Sequence, residues 1–402
     1  MKIAITGASG FVGRQLVPLL EQAGAEVLLV GRNPAELSRL FPSARTCGYP
    51  QLAENASGYD ALLHLAARNN DDSASIEEFR AVNVALLLQV FESARRAGIR
   101  TFYNASSTHA LDAKNLSSYA QSKREGTATL EGRDGPLIVT LYLPLVYATC
   151  WSGKLAPLNR LPAWLARPIF LVFAALKPTV HVSRLAEGIL AGRTTPISQI
   201  LYENQQRNWF FLAAKRSIDL AATLGIVMLF WWLLVIVWVA VRATSSGPGL
   251  FAQKRVGRDG RIFTCYKFRT MQIGTAQLGT HEVSQAVVTR IGGFLRRTKL
   301  DELPQVWNIL KNEMSVVGPR PCLPVQTQLV TARKRCGVLS IKPGITGLAQ
   351  INGIDMSDPE LLAEWDSRYL AMQSLLLDLH IILATGLGGG RGDFVQTPTS
   401  PA

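Results

Sequence analysis

The sequence predicts two α/β domains in series, joined through a hydrophobic helix. The first is expected to be a doubly wound parallel sheet, the second a small, mainly helical α/β domain. Three observations carry this. Short apolar runs alternate with helix-period stretches up to Tyr142; the segment Leu220–Val241 contains no charge; and beyond it short strands mix with amphipathic helices around Gly/Pro loops. Alternating strands and helices call for a parallel sheet covered on both faces. An uncharged run of about 20 residues is long enough to cross about 30 Å of hydrocarbon as a helix.

Taken in order, Lys2–Thr6 and Glu26–Val30 read as strands flanking a helical stretch, Gly13–Gln22. Ala61–Leu65, Thr101–Ala105 and Leu137–Tyr142 are further strands, and Asn83–Ala97 is helical in period. Past Pro144 the pattern loosens, and the apolar stretch Leu161–Leu176 is expected as a buried helix, with a helix lying against a membrane or a partner helix as the alternative. The predicted boundaries are a first domain over 1–197, a linker over 198–214, a membrane-embedded helix over 215–242, a second domain over 243–385 and a loose tail over 386–402. In the second domain, strands are expected around Arg261–Phe268 and a helix over Leu303–Lys311. Two loops follow, VVGPRP at 316–321 and KPGITG at 342–347.

Composition narrows the function classes. With 402 residues, 48% of them apolar, disorder is excluded and membrane contact is favoured. Lys and Arg outnumber Asp and Glu by 42 to 29, a net charge of +13 that suits phosphates and anionic headgroups as well as nucleic acid. Five cysteines without a CxxC pair argue against a disulfide framework and a zinc site, and five scattered histidines form no metal cluster. The opening MKIAITGASG lacks a basic start followed by an apolar core and is not expected to be a signal peptide.

Gly7, Gly10 and Gly13 form GxxGxxG directly after the first strand. Glycines so placed permit a tight turn, let the backbone approach a pyrophosphate and pack a helix close to the sheet, with the helix N-terminus facing the negative charge. The pattern predicts a Rossmann-type dinucleotide site. An acidic residue after the second strand would take the ribose hydroxyls of NAD; here Arg32 favours the 2′-phosphate of NADP(H), with NAD as the alternative. Tyr119 and Lys123 make YxxxK, two positions on one helix face, so that the ammonium is expected to lower the phenol pKa for proton transfer at a carbonyl.

Together with HLAA (His64–Ala67), Asn83, the serines at 106–107, SYAQSK and the LPLVY run, these motifs make the chain from Met1 to around Leu190 resemble extended short-chain dehydrogenase/reductases, a family acting on nucleotide sugars. The resemblance implies Tyr119 as catalytic acid/base, Lys123 as its modulator and cofactor-ribose ligand, and Ser107 as the hydroxyl that polarises the carbonyl, with Thr108 its close rival.

From Lys215 to Thr385 the motifs KRSIDL, GPGLFAQKRVGRDGRIFTCYKFRTM, FLRRTKLDELPQVWNILKNEMSVVGPRP and IKPGITGLAQING follow in order. They resemble bacterial sugar transferases, the monotopic phosphoglycosyl transferases. The resemblance implies that Asp301 attacks the sugar-bearing phosphate of a UDP-sugar, releasing UMP, and that polyprenyl (undecaprenyl) phosphate then takes the phosphosugar. Glu302 would hold Mg²⁺, and Arg320, Lys267 and Arg269 would bind substrate phosphate, while Lys254, Arg255 and Arg258 are expected at anionic headgroups or the lipid phosphate. Lys299 stands where the family tends to a small residue.

Cofactor and UDP-sugar are cytosolic, and basic residues flank both ends of the apolar segment. A re-entrant helix–break–helix, as the resembled transferases have, is therefore expected, placing both domains on the cytoplasmic side of a bacterial inner membrane. The alternative is a true crossing, which would leave the first domain outside the cytosol and without NADPH. The functional expectation is a bifunctional enzyme that starts glycan assembly. The first domain would finish the nucleotide sugar, by NADPH reduction of a 4-keto group or as an epimerase or dehydratase, or would act as a non-catalytic nucleotide-sugar-binding module. Membrane lipid is an expected partner, nucleic acid is not, and a homodimer is left open.

Overall fold

The computed structural model describes residues 1–69, 74–192, 197–245, 247–275 and 288–389; the expected tail lies mostly outside them. The chain divides into two compact units, Met1–Phe170 with Pro178–Glu203, and Leu171–Lys177 with the chain from Asn204 onward.

The first unit is built on nine strands, of which seven form one parallel sheet: β1 (Lys2–Thr6), β2 (Glu26–Val30), β3 (Arg45–Cys47), β4 (Ala61–His64), β5 (Thr101–Ser107), β6 (Leu137–Leu143) and β9 (Ile197–Ile200), in the order β3-β2-β1-β4-β5-β6-β9. The strands β7 (Leu145–Tyr147) and β8 (Thr179–His181) form a separate parallel pair. Successive side chains of a strand point to opposite faces, and the core follows suit. Ile3, Ile5 and Leu29 join one apolar cluster with Leu16, Leu20 and Leu185, while Ala4, Leu28 and Val30 join another with Leu87, Val90 and Phe91. Two such cores, one on each face, are what a doubly wound sheet requires. The helix Ala163–Leu176 is less buried than expected, with Trp164 76% exposed and Phe173 47% exposed.

The linker expected over 198–214 is corrected. Ser198–Ile200 belong to β9, which pairs with β6 from Val139↔Ile197 to Tyr142↔Ile200. A strand on the sheet edge needs few apolar side chains, so its polar sequence reads as a loop. The turn Gln205–Arg207 follows, and Asn208 then caps the next helix, its Oδ1 accepting from the Phe210 and Phe211 amides at 3.1 and 3.2 Å.

That helix (Trp209–Thr244), the longest of the chain, runs unbroken for 36 residues, about 54 Å at 1.5 Å per residue. The expected break is absent. Kinks arise at Pro, Gly/Ser pairs or bulges, and a lone Gly225 costs only about 1 kcal/mol, too little to interrupt a helix of this length. Both ends grip the second unit. Lys215 Nζ donates to Val317 O (3.0 Å) and pairs with Asp378 (2.5 Å), and Arg216 donates to Ile309 O and Leu310 O at 2.7 and 3.1 Å. Asp219 Oδ1 accepts from the Val316 amide at 2.8 Å. Towards the other end, Val237 and Val241 pack with Phe268 and Leu295. Between them Met228, Leu229, Trp231, Val235 and Ile236 are all more than half exposed.

The rest of this unit carries an antiparallel hairpin, β10 (Leu250–Val256) with β11 (Ile262–Phe268), and a parallel pair, β12 (Ser315–Val317) with β13 (Gly344–Thr346). The helices Arg290–Thr298, Val306–Leu310, Thr327–Arg335 and Pro359–Met372 surround them.

Candidate active sites

In the first unit the glycines meet the expected constraints. Gly7 has φ +75°, and a Cβ there would lie 2.5 Å from the Ala66 amide nitrogen; at Gly13 it would lie 2.5 Å from Ala8 Cα. Gly10 precedes the helix Phe11–Gln22, leaving its N-terminus clear of any side chain. The residues thus fit a dinucleotide pyrophosphate. Arg32 is exposed just past β2.

Ser107 ends β5 and Tyr119 lies in the first turn of the helix Ser118–Leu130. Ser107 lies close enough to Tyr119 to act against the effect of burial on its phenol, whereas Ser106 is engaged by Thr127 Oγ1 at 3.3 Å. The expected lowering of the phenol is not seen. Burial raises the Tyr119 pKa, and Ser107 offsets this only in part. The Lys123 ammonium, pushed down to about 8 by burial, donates instead to Ala105 O at 3.1 Å. His64 is buried beside it, with Nδ1 2.8 Å from Thr6 Oγ1; burial first, and then the Lys123 charge, hold its pKa down to about 3. Asn83 sits on a π-helical turn, Ala81–Leu86, and ties Arg68 N to Ser122 Oγ, both at 3.0 Å.

In the second unit the helix Arg290–Thr298 ends at Lys299, which adopts a left-handed φ of 57°, and a 3₁₀ turn over Leu300–Gln305 carries the dyad. A left-handed cap favours glycine or asparagine, which gives a physical reason for a small residue there. Glu302 Oε1 accepts from Lys267 Nζ at 2.6 Å and from Arg320 Nη2 at 3.2 Å. Burial opposes ionisation of Glu302, but Lys267 and Arg320 outweigh it and hold its pKa down to about 2. Asp301, 8% exposed, is pushed up to about 6, first by burial and then by the Glu302 charge, with Lys267 acting against both. Two adjacent carboxylates are thereby driven apart in pKa, one ionised and ion-paired, the other poised near neutrality.

Asn308, fully buried, fixes this turn to the hairpin. It donates to Thr264 O and Glu313 Oε2, both at 2.7 Å, and accepts from the Tyr266 amide at 3.2 Å. Gly318 and Gly344 let the VVGPRP and KPGITG loops meet backbone to backbone, since a Cβ on Gly344 would lie 2.1 Å from Gly318 N.

Glu302 opens onto a small pocket lined also by Lys267, Gln305, Arg320, Arg255 and Cys265; Asp301 is not among its lining residues. Arg255, expected at anionic headgroups or the lipid phosphate, is among the pocket residues. Arg269 lies one residue past the end of β11, donates to Pro248 O at 2.9 Å and, like Asp301, is not among the pocket residues. No group of three or more metal-ligating side chains occurs among the described residues. Mg²⁺ commonly binds through one or two carboxylates plus substrate phosphates, so Glu302 fits it only when a phosphate arrives to share the site with Lys267 and Arg320.

Residues 210–388 match the Bacterial sugar transferase family, and residues 3–131 match the NAD dependent epimerase/dehydratase family. EpsL of Bacillus subtilis, described as an uncharacterized sugar transferase, is 37% identical over 42% of this chain and 84% of its own length. The UDP-glucose:undecaprenyl-phosphate glucose-1-phosphate transferase of Xanthomonas campestris is 35% identical over 48% of this chain. The match spans 42% of that protein's length. Among solved structures, the UDP-N-acetylglucosamine 4-epimerase from Bacillus cereus aligns with 50% of this chain and 75% of its own, at 17% identity and a TM-score of 0.40. The chain belongs to the bacterial sugar transferase family, with a nucleotide-binding domain of the NAD dependent epimerase/dehydratase type fused ahead of the transferase.

Proposed function

We propose that the second unit transfers a sugar 1-phosphate from a UDP-sugar to polyprenyl phosphate. The observation that carries this reading is the Asp301–Glu302 dyad, with Glu302 held by Lys267 and Arg320 and Asp301 left to act. An Asp301 carboxylate oxygen attacks the phosphorus that bears the sugar, the bond to the UMP oxygen breaks, and UMP leaves with the electron pair. A phosphate oxygen of the polyprenyl carrier then attacks the same phosphorus and returns the carboxylate to its starting state. Lys267, Arg320 and Arg255 supply fixed positive charge to the phosphates in a water-poor pocket. Glu302, together with substrate phosphate oxygens, would hold Mg²⁺, which adds charge neutralisation.

The first unit modifies the nucleotide sugar in this reading, with NADPH as hydride donor and Arg32 at its 2′-phosphate. Tyr119 gives the proton to the carbonyl oxygen, and Ser107 polarises that carbonyl. The second reading, a non-catalytic nucleotide-sugar-binding module, is favoured by one observation: the Lys123 ammonium is spent on Ala105 O while the phenol is raised. Lipid contacts the exposed middle of the long helix, and both units face the cytoplasm.

The test is UMP release by detergent-purified protein given polyprenyl phosphate, Mg²⁺ and a UDP-4-keto-6-deoxy-HexNAc, with and without NADPH. Release that requires NADPH and is lost in Asp301→Asn supports reduction followed by transfer. Release indifferent to NADPH, with none consumed, removes the reductase. No release with any UDP-HexNAc removes the transferase.

A further inference from the structure

The loop that carries Arg320 is held by its backbone as well as by its side chains. Pro319 O accepts from the Gly344 amide at 2.9 Å, Pro321 O from Arg255 Nη1 at 2.9 Å, and Cys322 O from the Val256 amide at 2.9 Å. The remaining carbonyl in this run, that of Arg320 itself, accepts from Arg333 Nη1 at 2.8 Å. Arg333 lies on the helix Thr327–Arg335 and is 2% exposed. Its guanidinium meets one carboxylate, Asp366 on the helix Pro359–Met372, which is 3% exposed, through Nε at 2.9 Å and Nη2 at 2.7 Å.

A buried ion pair is a poor way to fasten two helices, because desolvating both charges costs about what their attraction returns, and an apolar pair of the same volume serves as well. What no apolar pair can do is present a rigid donor to a third group. Arginine's planar fork does this: one edge is fixed by Asp366, which aims the remaining Nη1 at the Arg320 carbonyl.

We infer that Arg333, oriented by Asp366, is a positioning residue that fixes the backbone of Arg320, and so the placement of its guanidinium over Glu302 and the substrate diphosphate. The inference rests on the phosphosugar-transfer reading of the second unit. Misplacing a charged group by about 1 Å can cost about 100-fold in rate, and the bond from Arg333 Nη1 acts on the Arg320 backbone at its own carbonyl.

The experiment is a double-mutant cycle on the full chain in detergent. UMP release gives kcat/KM for the parent, Arg333→Met, Arg320→Ala and the double variant, with thermal unfolding followed alongside. A group acting through Arg320 has nothing left to act on once that side chain is gone. The expected result is a loss of about 10- to 100-fold for Arg333→Met in the parent, shrinking to less than about twofold in the Arg320→Ala background. Equal losses in both backgrounds, or no loss in the parent, would overturn the inference. Should Arg333→Met not purify folded, Asp366→Asn and Arg333→Lys enter the same cycle under the same criteria. An Arg320→Ala variant as active as the parent would instead strike the phosphate-binding reading itself, which keeps the two failures apart.

Discussion

At the scale of single residues, the chemistry turns on one proton. In the proposed transfer Asp301 must be ionised to attack, and its pKa is pushed up to about 6. Because the raised group is the one that must lose its proton, kcat/KM for UMP release should be flat above that value. It should fall about tenfold per pH unit below it. A profile that stays flat well into acid would contradict the role given to Asp301. Asp301→Asn should abolish release, while Glu302→Gln, which removes the negative charge paired with Lys267 and Arg320, should cost about 10²- to 10³-fold. Lys299→Gly should raise stability by about 0.5–1 kcal/mol, read as a higher Tm, since glycine takes the φ of 57° without strain. The dyad was legible because its members are neighbours in LDELPQ. Where Arg255 and Arg269 point was not legible, because inward or outward aim depends on strand register and on where the strand stops, and neither is written in a local motif. Arg333 and Asp366 gave no signal, since their partnership joins two helices far apart in sequence.

At the scale of elements, the strands with apolar runs and the glycine turn were plain in the sequence, and the polar edge strand β9 was not. The unbroken helix was misread for a related reason. The break was inferred from where its flanking charges ought to lie, whereas the backbone had no proline to enforce one. Helix caps were equally silent at a distance. Asn208 accepts from two amides at the start of this helix, and Asn208→Ala should cost about 1 kcal/mol. Asn308→Ala should do more harm, because three partly buried polar groups of the hairpin and its neighbour lose a partner together. The expected loss is about 2–3 kcal/mol in unfolding free energy, with UMP release falling beyond what the stability loss explains, as Lys267 and Glu302 drift apart. Unchanged kinetics at equal folded fraction would show that Asn308 serves the fold alone.

At the scale of the whole molecule, the two activities should separate. Tyr119→Phe should stop NADPH consumption and leave UMP release from a finished UDP-sugar intact, while Asp301→Asn does the reverse. If Tyr119→Phe stopped both with a finished sugar, the units would not be the independent machines proposed here. The two-domain plan was legible because each domain announces itself through ordered motifs. The state of the Lys123 ammonium was not, because it depends on which carbonyl lies within reach. The long helix carries one more consequence. It is fastened to the same unit near both of its ends, by Lys215, Arg216 and Asp219 and then by Val237 and Val241, with its apolar middle bare. A rod pinned in two places cannot swing, so once that middle lies in lipid, the catalytic pocket rides at a constant height above the bilayer. Lipid-linked acceptors then reach it by a search in two dimensions, skating along the surface, and single cysteines placed at the two ends should react with a membrane-impermeant reagent from one and the same side.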